Sequence, residues 1–274
     1  MLYIIVPIHN RKQITLKFIQ NLLEQSFQNF HVVLIDDGSV DNSSEEVKQL
    51  LGTKVTIIYG DGNLWWAGSL QVAKNHLEDS GIADDELILI MNDDTKFNSN
   101  LLEVAINLKD SLDNAIVQAI AIREDNSKDM GHKADWGTFS FMPILDNEKV
   151  EVFSTRGLLM KKRTLMLIGN FYPRLIPHYL SDYEYTYRAY KKGIKLITNK
   201  DFYLYSMSES SGIHKPNHKN IIVYLRNVFT KRSASNPIYS SLFVVVAAPV
   251  KFWVHCLVRI WYGFIKNLLI SIKL

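Results

Sequence analysis

Three short apolar runs in this chain stop at polar side chains that can do chemistry. Leu87-Ile88-Leu89-Ile90-Met91 ends in Asn92-Asp93-Asp94. His31-Val32-Val33-Leu34-Ile35 ends in Asp36-Asp37-Gly38-Ser39, and Leu2-Tyr3-Ile4-Ile5-Val6 ends in Pro7-Ile8-His9-Asn10. Two carboxylates side by side repel each other unless a cation or a donor group offsets them. A hard divalent ion, Mg2+ or Mn2+, bridging to phosphate oxygens supplies that offset. The chemistry this points to is the binding of a nucleotide or nucleotide-sugar diphosphate.

The elements that must position these tips follow from the pattern. Apolar runs bounded by polar residues read as buried strands. Helical stretches between them make a repeated β-α unit, whose natural sheet is parallel. Right-handed crossovers bring the tips to one edge, where open α/β sheets bind ligands. The expected order is strand 2–6, helix 11–25, strand 31–36, helix 43–51, strand 54–59, helix 68–79, strand 86–91, helix 99–110 and strand 115–122. Loops and short antiparallel strands are expected over 123–150, and a strand over 153–162. A helix over 182–192, strands at 194–198 and 202–206, and a helix over 217–230 complete this part. Ser181 and Glu184 have the spacing of a capping box at the helix start. Tyr183, Tyr187 and Tyr190 share a helical face, and Gly193 stops the helix.

At 274 residues the chain holds one large domain, or one domain and an appendage. Its apolar content of 47% and charged content of 22% are ordinary for a globular protein. The lone Cys256 excludes an intramolecular disulfide and fits a reducing cytosol. The N-terminal apolar run is too short for a signal peptide, so the bulk of the chain is expected in the cytosol. No GxGxxG motif is present, which argues against NAD binding.

The order of motifs resembles the family 2 glycosyltransferases of the GT-A fold over roughly residues 1–230. Pro7-Ile8-His9-Asn10 is similar to the family's opening strand and turn. Val33 to Asp41 resembles its nucleotide-binding acidic turn. Asn92-Asp93-Asp94 stands where the family has its metal-binding Asp-x-Asp motif, with Asn92 departing from the first Asp. Thr155 to Met160, including Gly157, resembles the glycine-containing strand near the acceptor cleft. Ser181-Asp182-Tyr183-Glu184 stands where the family carries its catalytic base. The segments Gly60 to Gly68 and Tyr224 to Asn227 are similar to the bacterial rhamnosyltransferase-like branch.

The resemblance implies an α/β fold with a Rossmann-like, mostly parallel central sheet and helices on both faces. It assigns Asp94, with Asp93, to the metal and Asp182 to the catalytic base. Asp36 and Asp37 would accept hydrogen bonds from a pyrimidine imide and a ribose hydroxyl; turn chemistry is the competing reading for both. Pro7, His9, Asn10 and Asn63 belong to the donor side, and Lys74 is a weaker diphosphate candidate, with surface salt bridging the default reading for Lys74 and Arg226. His214 is read either as a metal or diphosphate ligand or as a surface histidine. Trp65 and Trp66, with Gly157 and Arg226, are assigned to the acceptor, core packing being the alternative for at least one of the tryptophans. Asp182 in a helix's first turn would be held ionised by the helix dipole.

The tail forms a second unit, with a boundary expected between 1–230 and 231–274. After Glu209 there is no acidic residue and there are nine Lys and Arg, against an overall net charge of +3. No run in 238–274 reaches the ~20 predominantly apolar residues of a membrane span. As a helix, Lys251 to Lys273 places Lys251, His255, Arg259, Lys266 and Lys273 within about 80° of one another on a broad apolar body. Such an amphipathic helix lies in an anionic membrane surface, with packing on the catalytic domain or a second subunit as the alternative.

The expected protein is an inverting, metal-dependent glycosyltransferase, peripheral on the cytoplasmic face of the cell membrane. Its donor would be dTDP-rhamnose or a UDP-hexose. Its acceptor would be a glycan or lipid-linked hydroxyl in bacterial polysaccharide synthesis. Rival readings are a non-catalytic membrane-associated scaffold that keeps the fold, and a sugar nucleotidyltransferase, which would need a Gly-rich basic loop after the first strand. Nucleic acid is not an expected partner, because the basic residues alternate with large aliphatics. A homo-oligomer is left open.

Overall fold

Alternation within the first strand sets the layers. Leu2, Ile4, Val6 and Ile8 feed one core cluster, while Ile5 feeds the other. A strand buried on both faces must be covered by helices on both sides. The computed structural model describes residues 1–144, 148–206 and 220–273. Along the chain run β1 (Leu2–Ile8), α1 (Lys12–Leu23), β2 (Phe30–Asp36), α2 (Ser43–Leu51), β3 (Val55–Tyr59), α3 (Trp65–Asp79), β4 (Leu87–Ile90) and β5 (Thr95–Lys96). They are followed by α4 (Leu101–Asn107), β6 (Ala115–Ile122), β7 (Lys128–Asp129), β8 (His132–Asp135), β9 (Ser140–Pro143) and β10 (Leu158–Lys161). Then come α5 (Lys162–Ile168), α6 (Ser181–Lys191), β11 (Lys195–Ser206), α7 (Ile221–Val228), α8 (Pro237–Ala247) and α9 (Trp253–Lys273).

The main sheet has the order β3-β2-β1-β4-β10-β6-β11-β5, with β7 on β6. Pairs β3-β2, β2-β1, β1-β4 and β6-β11 are parallel. Strand β10 is antiparallel to β4 and β6, and the short β5 and β7 are antiparallel to their neighbours. The mostly parallel sheet expected from the sequence is therefore present. Helices α1, α2 and α4 cover one face with Phe18, Leu22, Val47 and Leu102. Helices α3, α5 and α6 cover the other with Leu70, Leu77, Leu165 and Tyr185. The sheet order reverses between β1 and β4, which opens a crevice at their C-terminal ends.

Several elements differ from the sequence reading. The apolar stretch 153–162 yields only the four-residue β10, because α5 begins at Lys162. The strands expected at 194–198 and 202–206 are one strand, β11, with an irregularity between Asn199 and Tyr203. The bulge absorbs the polar Asn199-Lys200-Asp201 insertion without ending the pairing. The helix expected over 99–110 stops at Asn107 and continues as a separate 3-10 turn, Lys109–Leu112. Helix α3 starts at Trp65, three residues earlier than the pattern suggested.

The capping box at α6 does not form. Ser181 lies inside the helix and donates its hydroxyl to the His178 carbonyl at 2.6 Å. Glu184 instead takes the Arg188 guanidinium in two bonds, at 2.8 and 2.7 Å. A bidentate buried pair outcompetes a reach back to one backbone N–H. Tyr187 and Tyr190 stack as expected, 5.9 Å apart, and Gly193 follows the helix at φ 81°.

The tail adds a third core patch. Phe243 and Val244 of α8 are fully buried with Trp136 and Tyr187, and Cys256 of α9 is buried beside them. The Cys256 thiol donates to the Trp136 carbonyl. Among the described residues, no helix is long and apolar enough to cross a membrane.

Candidate active site

The crevice between the strand tips is a cavity of about 680 Å³. Pro7, His9 and Asn10 reach it from β1, Asp37 from β2, and Asn92 and Asp93 from the end of β4. Trp65 and Trp66 enter from the start of α3. Arg11, His178 and Arg232, to which the sequence reading gave no role, also line it.

Backbone geometry ties the first two tips together. The His9 ring nitrogen Nδ1 donates to the Asp37 carbonyl at 2.6 Å. Asn10 adopts φ 50° and accepts the Val40 N–H on Oδ1 at 2.8 Å. The Asp37 carboxylate accepts three backbone N–H groups, from Gly62 and Leu64 on Oδ1 at 2.9 and 3.1 Å and from Trp65 on Oδ2 at 2.9 Å. Gly60 permits this approach, since a Cβ there would lie 2.7 Å from Asp37 Oδ1. Asp37 thus shapes the cavity while lining it.

Asp36 follows the turn reading. It is 3% exposed, and its oxygens accept the Ser39 N–H at 2.8 Å and the Ser44 hydroxyl. It does not line the cavity. Lys74 does not line the cavity either; it is buried in α3 and makes the salt bridge of its default reading, with Glu78 at 2.8 Å. Arg226 is exposed on α7 and away from the cavity lining. Gly157 serves packing: at φ 73°, its Cβ would meet the Ala119 Cβ at 2.7 Å and Leu204 Cδ2 at 2.8 Å. His214 lies outside the described residues.

Arg11 spans the acidic pair. Its NH1 lies 2.9 Å from Asp93 Oδ1 and its NH2 lies 3.4 Å from Asp94 Oδ2. The Thr15 hydroxyl donates to Asp93 Oδ2 at 2.9 Å. Burial pushes the Asp93 carboxyl up to about 6, with Arg11 and Thr15 acting in the opposite sense. Asp94 does not itself line the cavity. Its Oδ1 and the Asn92 Oδ1 are buried without a hydrogen-bond partner among the described residues. Two unpartnered oxygens on a strand-end turn fit the donor set of a hard divalent ion. No cluster of three or more His, Cys, Asp or Glu side chains suited to a metal occurs among the described residues.

Trp65 is the hub of the opposite wall. It takes φ 60°, a left-handed backbone that a bulky residue rarely adopts. Its indole N–H donates to Asn63 Oδ1 at 3.0 Å, and the Lys231 ammonium donates to the same oxygen at 2.7 Å. Lys231 and Arg232 stand 5.6 and 5.9 Å from the Trp65 ring, and the His178 ring meets it edge-on at 5.8 Å. Trp66 donates to the Thr155 hydroxyl at 2.8 Å and packs partly into the core. Lys231 and Arg232 were legible as charge after Glu209, but not as neighbours of Trp65, with Arg232 on the cavity wall.

Asp182 is not a wall residue of the cavity. It occupies the first turn of α6, four residues after His178, and the His178 carbonyl accepts the Ser181 N–H and hydroxyl. Burial pushes its carboxyl up to about 6; the Tyr183 N–H and nearby Arg156 oppose this, and Asp129 adds to it. Burial thus sets the direction of its shift, and a carboxyl near 6 is still mostly ionised at neutral pH. Behind it, Tyr183 Oη and His132 Nδ1 are 3.2 Å apart, and Arg123 pairs with Asp129 at 3.4 Å.

The comparisons agree with this architecture. The chain is 28% identical over 105 residues to "Glycosyltransferase GlyG" of Streptococcus pneumoniae serotype 4, covering 38% of this chain and 33% of the relative. The match therefore spans about a third of that relative's length. Its fold is similar to a mannosyltransferase from Pyrobaculum calidifontis, solved with GDP-Man and Mn2+, at TM-score 0.59 and 16% identity over 98% of this chain and 72% of the other. It is also similar to S. aureus TarS in complex with UDP, at TM-score 0.59 and 14% identity, covering 97% of this chain and 72% of the other. At such identities the likeness shows the GT-A fold. Residues 3–167 match Glycosyl transferase family 2, well over half of the sequence, and the chain belongs to that family.

Proposed function

We propose that this glycosyltransferase moves a sugar from a nucleoside-diphosphate sugar to an acceptor hydroxyl with inversion, and that its donor occupies the cavity at the strand tips. The observation that carries this is the convergence of Asp37, Asp93, Arg11, Trp65 and Arg232 on one cavity at the reversal of the sheet order. The diphosphate would face Arg232, and the nucleoside would lie between Asn10, Asp37 and Trp65. The solved neighbours with GDP-Man, UDP and UDP-GlcNAc support a nucleotide-sugar donor. dTDP-rhamnose and UDP-hexoses remain the donors favoured by the sequence resemblance, with a glycan or lipid-linked acceptor in polysaccharide synthesis.

Asp94 and Asn92 would hold Mg2+ or Mn2+ through their unpartnered oxygens, with Asp93 beside them. A bound divalent ion supplies charge neutralisation for the leaving nucleoside diphosphate. Asp182 would accept the acceptor hydroxyl's proton as that oxygen attacks the anomeric carbon. The bond from that carbon to the diphosphate oxygen breaks in the same step. Its raised pKa makes the carboxylate a stronger base once ionised. The test is turnover and thermal stabilisation of the full chain with a panel of nucleoside-diphosphate sugars and Mn2+. Stabilisation by one donor with nucleotide release supports the reading; no response to any donor removes it.

A further inference from the structure

Helix α9 has two opposite characters around its axis. Its inward side carries Cys256, Leu257 and Ile260, packed in the third core patch, and Phe264, stacked on Tyr224 at 5.9 Å. Its outward side carries Val254, Val258, Tyr262, Ile265, Leu269 and Ile272, which are 76, 62, 68, 49, 54 and 58% exposed. These follow at steps of three or four residues, so they form one continuous stripe along about 30 Å of helix. Trp261, 40% exposed, borders it. Along one edge lie the exposed His255, Arg259 and Lys266.

Soluble surfaces rarely leave an apolar stripe of this length uncovered. A second copy is a poor cover: with no acidic residue after Glu209, a facing stripe offers Arg259 and Lys266 no counter-charge. An anionic lipid surface is complementary, because it takes the apolar side chains into its acyl boundary and the cations at its headgroups. The aromatic Trp261 and Tyr262 suit that interface.

We infer that the outward stripe of α9 docks this protein on an anionic bilayer, the helix lying in the plane of the membrane without crossing it. The inference stands apart from the sugar-transfer reading, because it uses no residue of the cavity.

The test is flotation of the full chain with phosphatidylcholine vesicles containing about a quarter phosphatidylglycerol, compared with phosphatidylcholine alone. Removing 238–274 is unsuitable, since α8 contributes the buried Phe243 and Val244. The paired variants Val258→Asp/Ile265→Asp and Arg259→Gln/Lys266→Gln change exposed positions, and unchanged melting temperatures establish that they fold. Binding to the anionic vesicles is expected, weakened about thirtyfold by the charge pair and abolished by the apolar pair. Equal flotation of wild type and both variants, or no binding of the wild type, would overturn the inference. So would a dimer seen by light scattering that Val258→Asp/Ile265→Asp dissociates, because a second copy would then cover the stripe.

Discussion

Asp37 holds Trp65 in a left-handed backbone: its Oδ2 accepts the Trp65 N–H at 2.9 Å while Oδ1 accepts two further N–H groups. The strained residue persists because this carboxylate over-determines the turn. Asp37→Ala should lower stability by about 3 kcal/mol, since bonds to a charged acceptor are lost and buried donors are orphaned. It should also raise the donor KM at least about tenfold, because the Trp65 wall collapses. Denaturant unfolding and donor titration check both. A stable variant with an unchanged KM would show that the turn holds itself.

Arg11 is expected to serve as the resident counter-charge of Asp93 and Asp94. Arg11→Met leaves two buried carboxylates facing each other, and should cost about 3–5 kcal/mol without metal. Mn2+ should restore part of that loss, raising the variant's melting temperature more than the wild type's. Equal metal shifts for both proteins would separate Arg11 from the ion's place.

The pH dependence of Asp182 has a definite sign. Its carboxyl is raised from 3.8 to about 6 by burial, so the folded state holds the proton more tightly than the unfolded state. Its favourable contribution is complete below pH 4 and is lost as pH rises through 6. Asp182→Asn should therefore stabilise the protein at pH 8 by up to about 3 kcal/mol and have little effect at pH 4. In activity the same group acts oppositely: kcat/KM should fall about tenfold per pH unit below 6, and the variant should lose about 10²–10⁴ in kcat with donor binding kept. A pH-independent stability difference would place the perturbed carboxyl elsewhere.

Arg232 and Arg226 make a matched pair for testing the pocket. Arg232→Ala should raise the donor KM about tenfold or more, since a charged contact to the diphosphate disappears. Arg226→Ala, on an exposed helical face, should leave it within about twofold. Donor titration with UDP-sugars and dTDP-rhamnose distinguishes them; equal effects would mean that Arg232 lines the cavity without touching the donor.

Much of the fold was legible because its signals are local. The continuous apolar runs Leu2 to Val6 and Leu87 to Met91, each ending at polar residues, are properties of neighbours, so the buried strands and their polar tips follow from them. The failures came from competition. Ser181 and Glu184 have capping-box spacing, yet Arg188 one turn away takes Glu184 instead. Gly157 lay on a motif-bearing strand, yet its use is room beside Ala119. For Lys74 the default reading, a salt bridge, is the one the helix supplies, with Glu78 at 2.8 Å.

By itself the sequence determined a βα-repeat sheet with acidic strand tips, and a basic, acid-free tail, because periodicity and charge are written residue by residue. Only the tertiary structure decided which side chains meet. Arg11 reaches Asp93 across 82 positions and Lys231 reaches Asn63 across 168. Such pairings depend on how helices and crossovers stack in space, and burial there moved Asp182 to about 6 against the Tyr183 N–H and Arg156. Desolvation is set by everything that surrounds a group, and no stretch of sequence near Asp182 encodes it.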